Sequence, residues 1–111
     1  MIDALIGHLV GDYLLQNDYL AANKKTNSWV CLQHCLIWTL CVMLFSGWHQ
    51  WWVFAFLLGT HFTQDRTAII SKWMDWNGQH GFRTGICSPW SVIVVDNVWH
   101  LLAIWLVSKF V

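Results

Sequence analysis

The chain has 111 residues, of which 57% are hydrophobic and only 11% are charged, whereas about a quarter of the residues in an ordinary soluble domain carry a charge. Six Lys and Arg residues balance six acidic residues, so no basic excess favours nucleic acid as a partner. The length fits one domain, residues 1–111, and the composition favours membrane lipid as its surroundings.

Four helices are predicted in chain order. The first, residues 2–22, alternates apolar and polar side chains as an amphipathic helix does. The second and fourth, residues 28–47 and 88–110, are apolar runs close to the roughly 20 residues that cross a bilayer. The third, residues 50–73, becomes polar after Thr60, so it spans a membrane only if its polar half faces protein. The predicted fold class is all-α, a small transmembrane four-helix bundle.

The connections between these helices indicate how the chain crosses the membrane. A short link near Gly47 predicts a tight hairpin of helices two and three. The basic residues near the other two connections are Lys24, Lys25, Lys72 and Arg83. Because cytoplasmic loops are enriched in Lys and Arg, we expect both of these loops in the cytoplasm and both termini outside. The expected location is the inner (cytoplasmic) membrane, as a multi-pass protein.

Histidine and aspartate form three pairs with a spacing of four residues. The pairs are His8 with Asp12, His61 with Asp65, and Asp96 with His100. On a helix this spacing puts both side chains of a pair on one face. His34 adds a candidate from the remaining helix. Counted from the helix ends at about 1.5 Å per residue, these groups lie at similar depth, so the sequence predicts that they converge.

The energetics of burial favours a cation among these groups. A charged Asp in mid-membrane costs about 2.5–3.5 kcal/mol, and three of them, Asp12, Asp65 and Asp96, lie in this layer. One divalent cation together with Arg66 would neutralise the three carboxylates. Protonated Asp or Asp–His pairs would neutralise them too, and polar contacts that hold helices together are the alternative role. Mixed imidazole and carboxylate ligands favour Zn²⁺ first, with Mn²⁺ or Fe²⁺ as alternatives.

Small residues near the His-bearing positions suggest close helix packing. Gly7, Gly11 and Gly59 have the small-residue character that lets helix backbones approach each other. Cys31, three residues before His34, is a weaker candidate for a soft metal ligand.

In HLVGDYLLQNDYLAANKK, THFTQDR and DNVWHLL, together with Trp29 and His34, the chain resembles the small bacterial and phage membrane proteins catalogued as domain of unknown function 3307. The match runs in order along nearly the whole chain. It implies a shared pattern of His8 and Asp12, His34, His61 and Asp65, and Asp96 and His100, but it implies no activity. The layout is more distantly similar to membrane-bound metal-dependent hydrolases.

The leading hypothesis is a metal-dependent hydrolase that acts on a lipid-linked or phosphate-containing substrate. The predicted metal ligands are His8, Asp12, His61, Asp65, Asp96 and His100. The predicted catalytic residues are His34 or an unligated Asp such as Asp65 as general base, and Arg66 as the group that binds the substrate phosphate. The alternative is a transporter or channel subunit with a proton or metal relay, which requires a homo-oligomer because four short helices enclose little space. A structural protein with buried polar contacts is the third interpretation.

Overall fold

The computed structural model describes all residues, 1–111, and every regular element in it is helical. Seven α-helices and one π-helical turn follow in the order α1 (Ile2–Leu9), the π turn (Val10–Leu14), α2 (Asp18–Asn23), α3 (Ser28–Ser46), α4 (Trp51–Arg66), α5 (Ile69–Trp76), α6 (His80–Thr84) and α7 (Trp90–Ser108). The all-α prediction is confirmed. The helices are more numerous and shorter than the four that the sequence suggested.

The two apolar runs form the two long helices of the fold. Helices α3 and α7 have 19 residues each and mean hydropathies of 1.7 and 1.6, and they correspond to the predicted 28–47 and 88–110. At 1.5 Å per residue, each is about 28 Å long, close to the roughly 30 Å of bilayer hydrocarbon. These two helices are long and apolar enough to cross a membrane.

The prediction of one continuous helix over 2–22 is wrong. After α1 the chain passes through the π turn, leaves helical geometry and begins α2 at Asp18. The side chain of Asn17 accepts a hydrogen bond of 2.9 Å from the backbone N–H of Leu20. An Asn side chain that caps a new helix competes with continuation of the old one, so the segment divides there.

The predicted third helix, 50–73, also divides in two. Helix α4 ends at Arg66, and Thr67 takes an extended conformation with φ −108° and ψ 169° before α5 begins. The Thr67 hydroxyl lies 3.4 Å from the backbone N–H of Ile69 and accepts a hydrogen bond from it. A Thr hydroxyl that bonds a nearby N–H offers the chain an alternative to the helix.

The segment predicted as a loop, 75–88, contains the short helix α6. Arg83 in α6 donates hydrogen bonds to both carboxylate oxygens of Asp75, from Nε to Oδ1 over 2.8 Å and from Nη2 to Oδ2 over 3.0 Å. Helix α7 then begins at Trp90, after Pro89. The predicted start at residue 88 is therefore early by two residues, which is the usual uncertainty of a helix end.

Helix α1 packs closely on α3 through two glycines. A Cβ atom on Gly7 would lie 2.6 Å from the carbonyl oxygen of Cys41, and one on Gly11 would lie 2.9 Å from Cα of Trp38. Only glycine leaves room for this approach. The prediction of close packing is confirmed for Gly7 and Gly11 and wrong for Gly59, where an added Cβ atom would have no neighbour within 4 Å.

Helices α3 and α4 form the predicted hairpin. Gly47 ends α3 with a φ of +74°, in the left-handed region that glycine adopts without strain, and α4 begins at Trp51. The apolar core lies in the half of the bundle nearest this hairpin and consists of Ala4, Trp38, Val42, Val53, Leu57, Ile104 and Val107. The other half of the bundle interior holds buried polar side chains together with apolar ones such as Val30 and Met74.

Candidate metal centre

The half of the interior away from the Gly47 hairpin brings together the seven residues from the three pairs and His34. We call them the His/Asp cluster: His8, Asp12, His34, His61, Asp65, Asp96 and His100. Six of the seven are buried, and the Asp96 side chain is 21% exposed. They come from α1, the π turn, α3, α4 and α7, so the predicted convergence of distant segments is present in the fold.

Four atoms at the centre of the cluster lie close together. Nε2 of His34 is 3.0 Å from Oδ2 of Asp65 and 3.2 Å from Oδ1 of Asp12. Nε2 of His61 is 2.8 Å from the same Asp65 oxygen and 3.7 Å from Asp12 Oδ1. The two Nε2 atoms are 3.1 Å apart. Ligands bound tetrahedrally at about 2.0–2.1 Å from Zn²⁺ lie about 3.3 Å from each other, so these spacings suit a common ion.

A second ligand group shares Asp65 with the first. Nε2 of His100 lies 3.0 Å from Oδ2 of Asp96 and 3.4 Å from Oδ1 of Asp65. Asp65 therefore presents Oδ2 to the first group and Oδ1 to the second. Oδ1 of Asp96 is buried without a hydrogen-bond partner. The cluster thus offers two neighbouring positions for a cation, joined by one carboxylate.

His8 differs from the other three histidines because both of its ring nitrogens are already engaged. The indole N–H of Trp38 donates to Nδ1 over 2.9 Å, and Nε2 lies 2.8 Å from Oδ1 of Asn97. Since Nδ1 accepts a hydrogen bond, Nε2 carries the proton and donates to Asn97. His8 has no free lone pair in this arrangement. Its Nδ1 lies 3.5 Å from Oδ2 of Asp12, but in this tautomer Nδ1 carries no proton to donate to that carboxylate.

The remaining imidazole rings direct their free nitrogens into the cluster. The His61 and His100 rings stack with centroids 4.1 Å apart and planes within 6° of parallel. Trp38 lies against His61, also with centroids 4.1 Å apart, and closes the cluster towards the apolar core. The Nδ1 atoms of His34, His61 and His100, and Nε2 of His100, are buried without a hydrogen-bond partner. The short distances from these three rings to the carboxylates are all from Nε2.

Lys24 is the basic residue that reaches the cluster. Its ammonium group donates a 3.2 Å hydrogen bond to Oδ2 of Asp65, and the Lys24 side chain is 18% exposed. Lys24 lies outside the apolar segments. Burial opposes its charge, but the carboxylates of Asp65 and Asp12 more than offset this, so the pKa of Lys24 is raised above its ordinary value.

Arg66, predicted to neutralise the cluster and to bind phosphate, is held elsewhere. Its Nε donates to the Ser28 hydroxyl over 3.0 Å, and Nη1 donates to the Lys25 carbonyl over 2.6 Å. These hydrogen bonds connect the end of α4 to the start of α3. Lys24, and not Arg66, is the basic residue beside the carboxylates of the cluster. The sequence did not identify Lys24 among the basic loop residues as the one that contacts Asp65, because this contact depends on the position of α2 in the fold.

Cysteine also approaches the cluster, although at a different position from the one considered. Ligand atoms of Cys35, His61 and Asp65 lie within 4.8 Å of one another. Cys31, the candidate from the sequence, lies one turn away, with its Sγ 3.8 Å from that of Cys35. Helical spacing alone does not show which of the two cysteines is the better candidate ligand, since both lie on the buried face of α3.

Comparison with known proteins identifies a family. A family model described as "Protein of unknown function (DUF3307)" matches residues 1–111, and it confirms the resemblance noted in the sequence. No curated protein and no solved structure matches the chain.

Proposed function

From the premise that this chain belongs to the DUF3307 family over its full length, we propose that it is a membrane-embedded metalloprotein that binds a divalent transition metal in the His/Asp cluster and uses it for hydrolysis. The observation that carries the proposal is the convergence of Asp12, His34, His61 and Asp65. Their ligand atoms come from distant parts of the chain and lie 2.8–3.7 Å apart in the five pairs described above.

Charge supports a divalent cation. Three carboxylates, those of Asp12, Asp65 and Asp96, meet in the cluster, and Lys24 is the one basic side chain that contacts them. An uncompensated charge in a low-dielectric interior costs several kcal/mol. One divalent cation together with Lys24 balances the three carboxylates.

The chemistry of the ligands favours Zn²⁺, with Mn²⁺ or Fe²⁺ as alternatives. Two imidazoles and two carboxylates form the first position, and a mixed nitrogen and oxygen set suits transition metals better than Ca²⁺ or Mg²⁺. The second position, at Asp65, Asp96 and His100, has an open side because Asp96 is partly exposed. Shared carboxylates are typical of two-metal sites, whose ions lie about 3.5–4 Å apart.

The exterior of the bundle supports a membrane as its surroundings. In the apolar stretches of α3 and α7 only 39% and 22% of the residues are buried, so most of their side chains are at least partly exposed. Large apolar side chains such as Leu44, Val94 and Phe110 are exposed, while the four histidines of the cluster are buried. This is the reverse of a soluble domain. We propose that α1 with α2, and α4 with α5, complete a four-segment bundle in the inner membrane.

A metal held in the cluster would supply an activated water for hydrolysis of an ester or phosphoryl bond in a lipid-linked substrate, with an alcohol as the leaving group. His34 is fully buried at the centre of the first position, which suits a ligand. Asp96 would contribute Oδ2 to the second position, and its Oδ1, which has no partner, would take the proton of the water and return it to the leaving alcohol. Arg66 has no part in this scheme because its guanidinium is held by Ser28 and Lys25.

The alternative function, a relay for transport, has less support from the geometry. A relay needs polar groups on both sides of the membrane. Here the half of the bundle near the Gly47 hairpin is filled by the apolar core, including Trp38 and Leu57. The polar groups of one chain therefore do not extend through the whole bundle, and a transport path would require a second copy of the chain.

The first experiment measures metal content. We expect wild-type protein, purified in detergent without chelators, to carry at least one Zn²⁺, Mn²⁺ or Fe²⁺ per chain by mass spectrometry of the elements. Asp65→Asn should lose it, because both positions use this carboxylate. Asp18→Asn, which changes an exposed Asp, is the matched control. Wild-type protein without stoichiometric transition metal, also after incubation with each ion, contradicts the proposal.

The second experiment separates hydrolysis from transport. Proteoliposomes with wild-type protein should release phosphate or acid from a lipid-linked ester, and His61→Ala should abolish the release. Ion uptake is measured in parallel with the same two proteins. Uptake that depends on His61 without any release of product would reject hydrolysis in favour of transport.

A further inference from the structure

A small cavity opens beside the His/Asp cluster, on the side of the Lys24 loop. It has a volume of about 200 Å³, and its polar lining residues are Lys24, Lys25, Asp65, Thr67, Ser71 and Asp96. Asp65 and Asp96 belong to the second metal position, so a molecule in this cavity lies directly beside that position. The cavity is the polar approach to the proposed metal.

Both lysines at this cavity retain unused hydrogen-bond donors. The Lys24 ammonium donates to Oδ2 of Asp65 over 3.2 Å, and the Lys25 ammonium donates to the Asp65 backbone carbonyl over 2.8 Å. An ammonium group has three N–H donors, and each of these groups uses one of them on Asp65. Ser71 lines the same cavity and adds a hydroxyl donor, whereas the Thr67 hydroxyl donates to the Thr63 carbonyl. This set of donors suits an anion with several oxygen acceptors.

We propose that this cavity is a phosphoryl-binding subsite, in which Lys24 and Lys25 hold the phosphate group of the substrate against the metal. The inference rests on the proposed function, because the carboxylates of Asp65 and Asp96 would repel an anion unless a cation lies between them. The Lys25 ammonium brings a positive charge that the three carboxylates do not balance, and the Lys24 ammonium adds free N–H donors. Ser71 supplies a further donor.

The neighbouring surface favours a phosphate that is carried by a lipid. An apolar groove of about 600 Å³ lies between α4, α5 and α7, and Ile70 lines both this groove and the cavity. Trp73 and Trp99 form one wall of the groove, with ring centroids 5.4 Å apart. A hydrocarbon chain in the groove would end at Ile70, where a phosphate headgroup would enter the cavity.

The test measures binding of two probes by calorimetry in detergent, with metal content determined on the same samples. The probes are inorganic phosphate and dihexanoyl phosphatidic acid, with dihexanoyl phosphatidylcholine as the lipid control. We expect the metal-loaded wild type to bind phosphatidic acid more tightly than inorganic phosphate. Each of Lys24→Ala and Lys25→Ala should weaken binding by about tenfold, as loss of a charge-assisted hydrogen bond does.

Two further variants separate a binding role from a structural one. Lys72→Ala removes an exposed positive charge from α5 that does not line the cavity, and its binding should equal that of the wild type. Lys24→Arg keeps the charge and should restore most of the binding if Lys24→Ala lowers it. Helical content, followed by circular dichroism, identifies any variant that fails to fold. Lys25→Ala then provides the test, because the Lys25 ammonium group donates only to the backbone carbonyl of Asp65.

The outcomes distinguish this inference from the proposed function. Equal binding of both probes supports a phosphoryl subsite filled by free phosphate, and tighter binding of phosphatidic acid supports the lipid source. Full metal content with phosphate binding unchanged in Lys24→Ala and Lys25→Ala overturns the subsite and leaves the metal site standing. Wild-type protein that binds no metal overturns both.

Discussion

Asp65 and Asp75 are both paired with basic side chains, but in different surroundings. Asp65 is buried among two histidines and Lys24, where removal of one partner leaves charge without compensation. Asp75 is exposed at the end of α5 and meets Arg83 and His80. Water screens an exposed pair, so its contribution to stability is small. Asp65 thus belongs to the candidate metal site, whereas Asp75 links α5 to the exposed helix α6.

Arg83→Ala tests the surface pair. Hydrogen bonds from Arg83 and His80 lower the pKa of Asp75 from the ordinary 3.8, so the charged form is favoured in the folded protein. This contribution to stability is present above pH 3.8 and is lost as the pH falls through the lowered value. We expect Arg83→Ala to raise the pKa of Asp75, measured by NMR of its carboxyl carbon. An unchanged titration midpoint would show that Arg83 does not make this contact in solution.

Among the elements, α1 and α3 depend most directly on glycine. Gly7 and Gly11 bring α1 against the backbone of α3, and this approach places Asp12 beside His34 at 3.2 Å. The π turn that carries Asp12 lies between α1 and the break at Asn17. Such turns are frequent at functional sites. The position of one cluster carboxylate therefore follows from helix packing.

A pair of glycine substitutions tests this packing. Gly7→Ala puts a methyl group 2.6 Å from a backbone oxygen of α3, and such overpacking costs about 1–3 kcal/mol. Gly59→Ala meets no atom within 4 Å and should be neutral or stabilise its helix by up to about 1 kcal/mol. The free energy of unfolding in detergent measures both changes. Equal effects of the two variants would contradict close contact at Gly7.

The elements that were predicted well are those governed by local pattern. Apolar runs of bilayer length defined α3 and α7, and the spacing of four residues placed His61 with Asp65 on one face. The breaks at Asn17 and Thr67 were missed because each depends on a single side-chain hydrogen bond. Those bonds compete with a helix that the surrounding sequence also favours.

The parts of the site that escaped prediction depend on contacts between distant segments. Lys24 meets Asp65 across 41 positions of the chain, and His8 meets Asn97 across 89. A contact between residues so far apart in the sequence produces no periodic pattern by which it could be predicted. Asn97 carried a usable signal, since it lies three residues before His100 on α7 and so shares part of its face.

At the scale of the whole molecule, polar and apolar groups are arranged with the polar cluster inside and apolar side chains outside. The molecule measures 40 × 30 × 20 Å, and its longest dimension is close to the 40–45 Å of a bilayer with its headgroups. Lys24 and Lys25 lie between α2 and α3, and Arg83 lies in α6, within the two connections that were predicted to share one side of the membrane. The prediction that this side is the cytoplasm rests on these basic residues.

Cys87 offers a direct test of the orientation. It is the exposed cysteine and lies between α6 and α7, whereas Cys31 and Cys35 are buried. A membrane-impermeant maleimide should therefore label the protein in inverted inner-membrane vesicles and not in intact spheroplasts. Cys87→Ser should abolish the labelling, and Val111→Cys should restore it from the opposite side. Labelling of Cys87 in spheroplasts would reverse the proposed topology.

The distribution of the cluster along the chain has a consequence for biogenesis. Its members extend from His8 in the first helix to His100 in the last, so the nascent protein cannot complete the cluster until α7 has left the ribosome. Under the proposed membrane location, the earlier segments would until then hold Asp12 and Asp65 in lipid without all of their partners. Capture of the ion would therefore mark the end of assembly, and a chain stalled before α7 would expose charged helices that membrane proteases can recognise.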